Sequence, residues 1–320
     1  MSRSILPVTV VLPVLNEAQS SPALLEALAG QTCQPAEIIF CDGGSTDATR
    51  DLIEGWWATH AWEGTALRLL ERPGALPGGG RNSGIRAASQ PWIAFLDAGI
   101  APEPDWLEGL FACVRRNGGR AAFGLCEFSA DAPVQRALCA LSNGYMSVVP
   151  VIPASMFHRD VFGEVGLFRE DLRTAEDLLW VREYERRFGP RPVCTEARVR
   201  YRQFPASLSD AFSKWRIAEL NGVRAGLRGS QHVVYIAAMP LLLLLAAFSS
   251  AAALVAVITY LLLRGGVDPI RRSRERRWWN GCGRAFFIAF GAAACIDAAK
   301  WIGIVQGSLE KLRPPPHPAR

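Results

Sequence analysis

The chain has 320 residues, of which 50% are hydrophobic, and carries a net charge of +5. This length accommodates one large domain and an additional segment, and the hydrophobic share exceeds that expected of a soluble enzyme. The positive charge is local, because seven arginines and two acidic residues lie between Arg264 and Arg284 and account for all of it. This cluster lies between two apolar stretches, which argues against nucleic acid as a partner.

The eight cysteines form no CxxC pair and have no metal-type spacing with the four histidines. Pairs of that kind mark redox motifs and zinc sites. We therefore predict reduced thiols, most of them buried as small hydrophobic side chains.

The sequence from Val8 to Ala98 repeats a short apolar run, a polar turn and a helical stretch. This pattern predicts strands at 8–14, 37–42, 66–72 and 92–98 and helices near 21–28 and 46–57. Alternation of this kind predicts an α/β fold with a mostly parallel sheet between helices. Ligands bind such sheets at the carboxyl ends of the strands, where the polar turns of this sequence begin.

The sequence from Pro102 to Gly229 is less regular. Its pattern predicts helices near 105–116 and 176–188 and antiparallel strands around 121–128 and 193–201. No stretch between residues 4 and 229 has the composition of a linker. We therefore predict a single domain over residues 1–229.

Two apolar stretches follow this domain. Residues 233–263 contain no charged side chain, and residues 285–305 contain only Asp297 and Lys300. Since one membrane span needs about 20 apolar residues, we predict a membrane region over residues 230–307. It comprises apolar helices at 233–263 and 285–305, a basic loop at 264–284 and, beyond the region, a disordered tail at 308–320.

The arginines of the basic loop also predict the orientation in the membrane, because short loops rich in arginine stay on the cytoplasmic side. A single crossing by residues 233–263 would place these arginines outside, whereas a hairpin or re-entrant segment keeps them inside with the N-terminal domain. We therefore predict a protein of the cell inner membrane whose N-terminal domain is cytoplasmic, with the single crossing as the alternative.

Polar residues follow the first two predicted strands. The first strand ends in Pro13-Val-Leu-Asn16-Glu17, and the second runs into Asp42-Gly-Gly-Ser-Thr-Asp47. Either turn taken alone is also explained by ordinary turn and helix-cap chemistry. Considered together, they place polar side chains where the sheet is expected to meet its ligand.

With four further motifs, these turns resemble those of the family 2 inverting glycosyltransferases, which have a GT-A fold. The further motifs follow in order as Arg81-Asn82-Ser83-Gly84, Phe95-Leu96-Asp97-Ala98-Gly99, Pro104-Asp105-Trp106-Leu107-Glu108 and Ala175-Glu176-Asp177. The resemblance extends over about residues 8–189. It implies a GT-A domain with a Rossmann-like, mostly parallel sheet flanked by helices, followed here by C-terminal membrane helices.

The resemblance also implies the residues that bind the nucleotide. Pro13, Asn16 and Glu17 would line the nucleoside pocket, and Asp42 would accept hydrogen bonds from the base. The implied base is uracil, so the implied donor is a UDP-sugar. Arg81 would contact the nucleotide, since a fixed positive charge suits a diphosphate. The alternative for Arg81 is a surface arginine after a flexible run of three glycines.

Asp97 matches the first acid of the family's DxD element, which implies that it binds the nucleotide and a divalent cation, Mg²⁺ or Mn²⁺. Such a cation neutralises the departing diphosphate through oxygen ligands. The third position of the element is Gly99, so one expected carboxylate is missing. Glu103 or Asp105 would substitute for it, or Asp97 and water would suffice.

Glu176 and Asp177 open a predicted helix and resemble the family's ED motif, whose carboxylate is the catalytic base. An acceptor hydroxyl becomes a good nucleophile when a nearby carboxylate takes its proton. We predict Asp177 as this base and Glu176 as a neighbour that orients the acceptor or raises the pKa of the base. The alternative is that the two acids only offset the helix dipole.

The leading hypothesis is an enzyme that transfers one sugar, with inversion, from a UDP-sugar to a lipid-linked or membrane-proximal acceptor in polysaccharide or glycolipid biosynthesis. A catalytically inactive membrane scaffold that binds sugar nucleotides is the first alternative, suggested by Gly99. A nucleotidyltransferase is the second. It would need a glycine-rich loop with Lys or Arg directly after the first strand, which Asn16-Glu17 does not provide.

Overall fold

A computed structural model describes residues 3–60, 62–227, 241 and 244–312 of the chain. These residues form two compact units. The first contains the described residues up to Glu127 together with Val148–Arg202, and the second contains Phe128–Ser147 and the described residues from Gln203 onward. The division into residues 1–229, 230–307 and 308–320 stays a prediction.

The first unit is built on a mixed sheet whose strand order is β3-β2-β1-β4-β8-β6-β9-β5, with β7 beside β6. The strands β1 to β4 pair in parallel, and the pairs β4–β8, β6–β8, β6–β7 and β5–β9 are antiparallel. In chain order the strands are β1 Ile5–Val14, β2 Gln34–Asp42, β3 Ala66–Glu71, β4 Trp92–Phe95, β5 Ile100–Pro102, β6 Ala121–Phe128, β7 Val148–Pro150, β8 Met156–His158 and β9 Val193–Tyr201. The predicted α/β class is therefore confirmed, with a sheet that is parallel only in its first half.

Helices cover this sheet and make up most of the second unit. In chain order they are α1 Ser21–Ala29, α2 Thr49–His60, α3 Pro77–Ala87, α4 Trp106–Asn117, α5 Pro133–Ser142, α6 Asp160–Val165, α7 Glu176–Phe188, α8 Leu208–Arg224, α9 Ser250–Leu261, α10 Asp268–Arg272 and α11 Gly283–Leu312. The core of the first unit holds β-branched residues of β1 and β2 and a cluster of aromatic rings that includes Phe95, Phe157 and Trp180. This core fixes the positions of the strand ends and of α7.

Helix α3 corrects the interpretation of Arg81 as a surface arginine after a flexible glycine run. The three glycines lie inside α3, and Arg81 is buried. Glycine disfavours helix in isolation, but here it allows close packing. A Cβ atom added at Gly78 would lie 2.1 Å from the carbonyl oxygen of Arg169, and one added at Gly84 would lie 2.2 Å from Val11 Cγ1. The helix forms because tertiary packing outweighs local propensity, with Pro77 at its first turn.

Gly84→Ala is expected to destabilise the protein by about 1–3 kcal/mol, because the added methyl group must displace either Val11 or the helix. The measurement is the thermal unfolding midpoint. Gly55→Ala on α2 is the matched control, since no atom lies within 4 Å of the Cβ added there. The control should be neutral or stabilising. Equal midpoints for the two variants would contradict the close packing of α3 on β1.

The prediction that the cysteines are all reduced is wrong for one pair. Cys113 of α4 and Cys194 of β9 form a disulfide across a sequence separation of 81 residues. Spacing does not reveal such a pair, because the fold alone brings the two elements together. Among the free cysteines, Cys33, Cys41, Cys126 and Cys139 are buried, as expected of small hydrophobic side chains.

The second unit contains two helical segments that are long and apolar enough to cross a membrane, Ser250–Arg272 and Gly283–Lys311. The predicted apolar helix at 233–263 lies partly outside the described residues. The predicted loop at 264–284 is wrong in its first part, since Val267 leads directly into α10. Arg264 is accommodated there because Asp297 and Asp268 bind its guanidinium group at 3.1 and 2.7 Å.

The predicted tail at 308–320 is also partly wrong, because α11 continues to Leu312. An ion pair at 2.7 Å between Arg224 of α8 and Glu310 of α11 supports this last turn. Residues 313–320 lie outside the described residues.

Candidate functional site

The two turns that follow β1 and β2 bind each other. The backbone N–H of Asn16 donates to Ser45 Oγ at 2.9 Å, and Thr46 N–H donates to Asn16 Oδ1 at 2.8 Å. Asp42 accepts from both the N–H and the hydroxyl of Ser45 at 3.0 and 2.6 Å. Asn16 has a left-handed backbone with φ of 55°, which Asn tolerates better than most residues. The polar residues of both turns therefore form one structure at the edge of the sheet.

Glu17 lies in the turn after β1 and is influenced by the charge of Asp97, which follows β4. Its N–H donates to Thr49 Oγ1 at 2.7 Å, and its carboxylate accepts from the Ser20 hydroxyl. The pKa of Glu17 is raised by burial, which outweighs the Ser20 hydrogen bond, and the negative charges of Asp97 and Asp47 raise it further. Charge effects of this kind require proximity. Glu17, Asp47 and Asp97 therefore belong to one acidic edge.

Arg81 joins Asp97 to the start of α7. Its guanidinium group donates through Nη2 to Asp97 Oδ1 at 2.7 Å and through Nη1 to Glu176 Oε1 at 2.6 Å. The Arg81 side chain is 3% exposed, that of Glu176 6% and that of Asp97 37%. Burial lowers the pKa of Arg81, but the charges of Asp97, Glu176 and Asp177 raise it above its usual value. The arginine is therefore a permanent cation between two carboxylates.

The residues around Arg81 fix its position. Its guanidinium carbon lies 5.6 Å from the ring centroid of Phe168, and that ring stacks on Trp180. The neighbouring Asn82 binds both backbone groups of Phe168, donating at 2.8 Å and accepting at 2.9 Å. Asn82 also donates to Glu170 Oε1 at 2.8 Å. Asn82 belongs to the motif Arg81-Asn82-Ser83-Gly84, but nothing in that motif indicates that it positions the segment before α7.

The start of α7 carries backbone strain. Ala175, directly before the helix, has φ of 75°, a left-handed conformation that costs about 1–2 kcal/mol for a residue with a side chain. Strain of this kind concentrates at functional sites. Asp177 is half-buried, and its Oδ1 accepts from the N–H of Leu178 at 2.7 Å. Within the described part of the chain, no hydrogen bond reaches its other carboxylate oxygen.

Three buried polar atoms in this region have no hydrogen-bond partner among the described residues: Arg81 Nε, Glu176 Oε2 and Thr174 Oγ1. Buried polar groups are normally paired, and exceptions call for a water or a ligand. The pKa of Glu176 is raised by burial, lowered by Arg81 and raised by Asp177, with a net increase. The arrangement suits the binding of a polar molecule beside α7.

Asp97 is the predicted metal ligand. Its Oδ1 is engaged by Arg81, and Glu103, proposed as a substitute for the missing acid, is bound by Arg200 at 2.7 Å. Among the described residues, no group of three metal-ligating side chains includes Asp97. At phosphate-binding sites, Mg²⁺ usually takes one or two carboxylates and completes its shell with phosphates and water. The remaining oxygen of Asp97 fits a cation that arrives with a diphosphate.

The structure thus brings the predicted site residues to one edge of the first unit. Asn16, Glu17 and Asp42 lie in the joined turns, and Pro13 lies against α3, where a Cβ on Gly80 would approach its Cβ to 2.9 Å. Arg81 connects Asp97 with Glu176, the residue before Asp177. The two turns are held together by hydrogen bonds of Ser45, Thr46, Asp47 and Thr49.

Comparisons with known proteins give a family match over part of the chain. Residues 9–148 match the family model described as "Glycosyl transferase family 2". Glycosyltransferase AglE of Haloferax volcanii is 31% identical over 124 residues, which are 38% of this chain and 40% of that protein. Validoxylamine A glucosyltransferase of Streptomyces hygroscopicus is 34% identical over 110 residues, which are 32% of this chain and 24% of that protein. The matches therefore span less than half the length of these relatives.

A solved structure is similar over most of the chain. It is the mannosyltransferase PcManGT from Pyrobaculum calidifontis, determined in complex with GDP-Man and Mn²⁺. The TM-score is 0.58 at 18% identity, and the alignment covers 92% of this chain and 86% of that one. At this identity the likeness concerns the fold alone, and it confirms the predicted GT-A architecture.

Proposed function

We propose that this chain, which carries a family 2 glycosyltransferase domain over residues 9–148, transfers one sugar from a nucleoside diphosphate sugar to an acceptor hydroxyl with inversion at the anomeric carbon. The observation that supports this most strongly is the bridge from Asp97 through Arg81 to Glu176. It connects the end of β4 with the start of α7, where Asp177 would act as a base.

The joined turns would hold the donor. Asp42 is buried and its Oδ1 already accepts from Ser45, which leaves further acceptor capacity for the N–H of a base. We propose uracil as this base and therefore a UDP-sugar as donor. Arg81 would contact the nucleotide through its remaining N–H groups, since one hydrogen bond at each terminal nitrogen leaves a second N–H there. It would also fix Asp97.

Asp177 would be the general base. In the proposed step the acceptor oxygen attacks the anomeric carbon, the bond from that carbon to the phosphate oxygen breaks, and the acceptor proton passes to the free oxygen of Asp177. The nucleoside diphosphate leaves with the electron pair of the broken bond. Attack on the face opposite the leaving group inverts the configuration of the anomeric carbon. Glu176, held by Arg81, would position the start of α7.

A divalent cation, Mg²⁺ or Mn²⁺, would be held by the free oxygen of Asp97 and by the donor phosphates. It would supply positive charge to the departing diphosphate. Asp97→Asn is expected to reduce the stimulation of transfer by added cation by about tenfold or more, because the charged ligand is lost. The measurement is initial rate against cation concentration. Glu103→Gln is the control and should keep the stimulation, because Arg200 occupies that carboxylate.

An equal loss of stimulation in Glu103→Gln, or unchanged stimulation in Asp97→Asn, would contradict the assignment of the cation to Asp97.

The acceptor is proposed to be lipid-linked or membrane-proximal, in polysaccharide or glycolipid biosynthesis. Helices that are long and apolar enough to cross a membrane support this choice, since an amphiphilic acceptor is concentrated at the membrane surface. We propose the cell inner membrane as the location, with the first unit on the cytoplasmic side.

The test is a panel of radiolabelled donors offered to membranes that contain the protein. UDP-sugars and GDP-mannose are included, and the lipid-extractable product is counted. We expect one UDP-sugar to label a lipid-extractable product. Exclusive use of GDP-mannose would overturn the choice of base. Donor binding without transfer or hydrolysis of any donor would favour the inactive scaffold, which the missing acid at Gly99 suggests.

A further inference from the structure

An exposed cluster of arginines lies between the two candidate membrane helices of the second unit. We call it the arginine cluster and define it as Arg271, Arg274, Arg276, Arg277 and Arg284. All five are exposed. Arg271 lies near the end of the segment Ser250–Arg272, and Arg284 lies in the first turn of the segment Gly283–Lys311. The cluster therefore lies at the end of the first apolar segment and at the start of the second.

The described residues offer no carboxylate partner to the charges of the cluster. Among the described residues, no carboxylate lies within 4 Å of any of these five guanidinium groups, and the nearest acid in sequence, Glu275, is itself exposed. Arg264 lies farther into the apolar segment and is bound by Asp297 and Asp268. Arg272, the exposed last residue of that segment, is bound by Asp268 at 2.8 Å and is not counted in the cluster.

This contrast follows from the cost of charge in lipid. A charged group inside the hydrocarbon region requires a partner, and Arg264 has two. Arginines at the end of a membrane helix extend toward the headgroups and need none from the protein. The arginine cluster is therefore expected at the depth of the membrane surface, where anions from outside the protein can bind it.

Aromatic and apolar side chains adjoin the cluster. Trp279 packs on Phe286 with ring centroids 5.0 Å apart, and Phe287 is 76% exposed. On the apolar segment before the cluster, Leu254 and Val255 are 61% and 63% exposed. Tryptophan and arginine next to exposed apolar helices are typical of a membrane interface. A nucleic-acid-binding surface is instead a basic stripe and is not bordered by apolar helices.

We infer that the arginine cluster binds the headgroups of anionic phospholipids in the leaflet that faces it. Each arginine near such a surface strengthens binding by roughly fivefold. The attraction acts within a distance of about 10 Å at moderate ionic strength and weakens with added salt. The cluster thus selects the lipid composition around the enzyme, which is a property separate from sugar transfer.

The experiment uses the full chain reconstituted into phosphatidylcholine vesicles. The vesicles contain a small share of one labelled lipid, which carries a dansyl group on its acyl chain. In one preparation the labelled lipid is phosphatidylglycerol, and in the other it is phosphatidylcholine. Energy transfer from tryptophan to dansyl reports how much labelled lipid lies beside the protein. We expect a several-fold preference for phosphatidylglycerol at low salt, which declines toward one in concentrated NaCl.

The variant Arg274→Gln/Arg276→Gln/Arg277→Gln should lose most of this preference, because each arginine removed weakens the attraction by roughly fivefold. Its matched control, Arg115→Gln/Arg186→Gln/Arg187→Gln, removes the same charge from exposed positions of the first unit and should keep the preference. Circular dichroism of both variants checks that they are folded. Equal energy transfer to the two lipids in the wild type, or an undiminished preference in the cluster variant, would overturn the inference. So would tight binding of a fluorescein-labelled oligonucleotide together with no lipid preference.

Discussion

Replacement of Asp177 by Asn is expected to lower the rate of sugar transfer by about two to four orders of magnitude, because an amide cannot take the proton of the acceptor hydroxyl. Donor affinity should change little, since the nucleotide would be held by the strand-end turns. The measurements are the turnover rate with saturating donor and acceptor and the dissociation constant of the donor nucleotide.

Glu183→Gln on the same helix is the matched control. Glu183 pairs with Arg186 at the surface of α7, so its loss should leave turnover near that of the wild type. Turnover of Asp177→Asn within threefold of the control would show that Asp177 is not the base. A parallel loss of donor binding and turnover would instead indicate that Asp177 belongs to the donor pocket.

Replacement of Arg81 by Met should reduce the free energy of unfolding by about 3–5 kcal/mol, since it leaves the buried carboxylate of Glu176 without its partner. It should also abolish transfer, because Asp97 loses the group that fixes it. Lys is not an adequate substitute, since one ammonium group does not reproduce a fork that reaches two carboxylates. The stability measurement is thermal or urea-induced unfolding in one detergent.

Two further variants make the stability prediction specific. Arg86→Met lies on the same helix, but Arg86 is 55% exposed, so its loss should cost less than about 1 kcal/mol. Adding Glu176→Gln to Arg81→Met should restore part of the lost stability, because the two residues are coupled. Strictly additive effects of the two substitutions, or equal effects of Arg81→Met and Arg86→Met, would contradict a buried bridge.

Much of the first unit was predictable because its elements have strong local patterns. The strands around Val10 and Ile39, the antiparallel strands β6 and β9, and helix α7 all lie where hydrophobic periodicity placed them. Helix α3 was missed because its glycine run opposes helix locally, and only contacts with Val11 and Arg169 explain it. The disulfide between α4 and β9 was missed for a related reason, since it depends on proximity in the fold.

For the site, sequence motifs predicted which residues matter but not how they interact. The strand-end rule correctly brought the turns after β1 and β2 together. The role expected of Arg81 as a direct nucleotide ligand stays a prediction, and its observed partners are Asp97 and Glu176. No spacing rule connects residues 81 and 176, because their contact depends on how α3 and α7 pack around Phe168.

The turns after β1 and β2 and the end of β4 are proposed to form one nucleotide site. Hydrogen–deuterium exchange of the full chain, with and without a saturating donor nucleotide, shows whether they respond together. We expect the nucleotide to slow exchange in all three of the segments 13–18, 42–49 and 97–100. Unchanged exchange in these three segments, with protection confined to another part of the chain, would show that they do not form the nucleotide site.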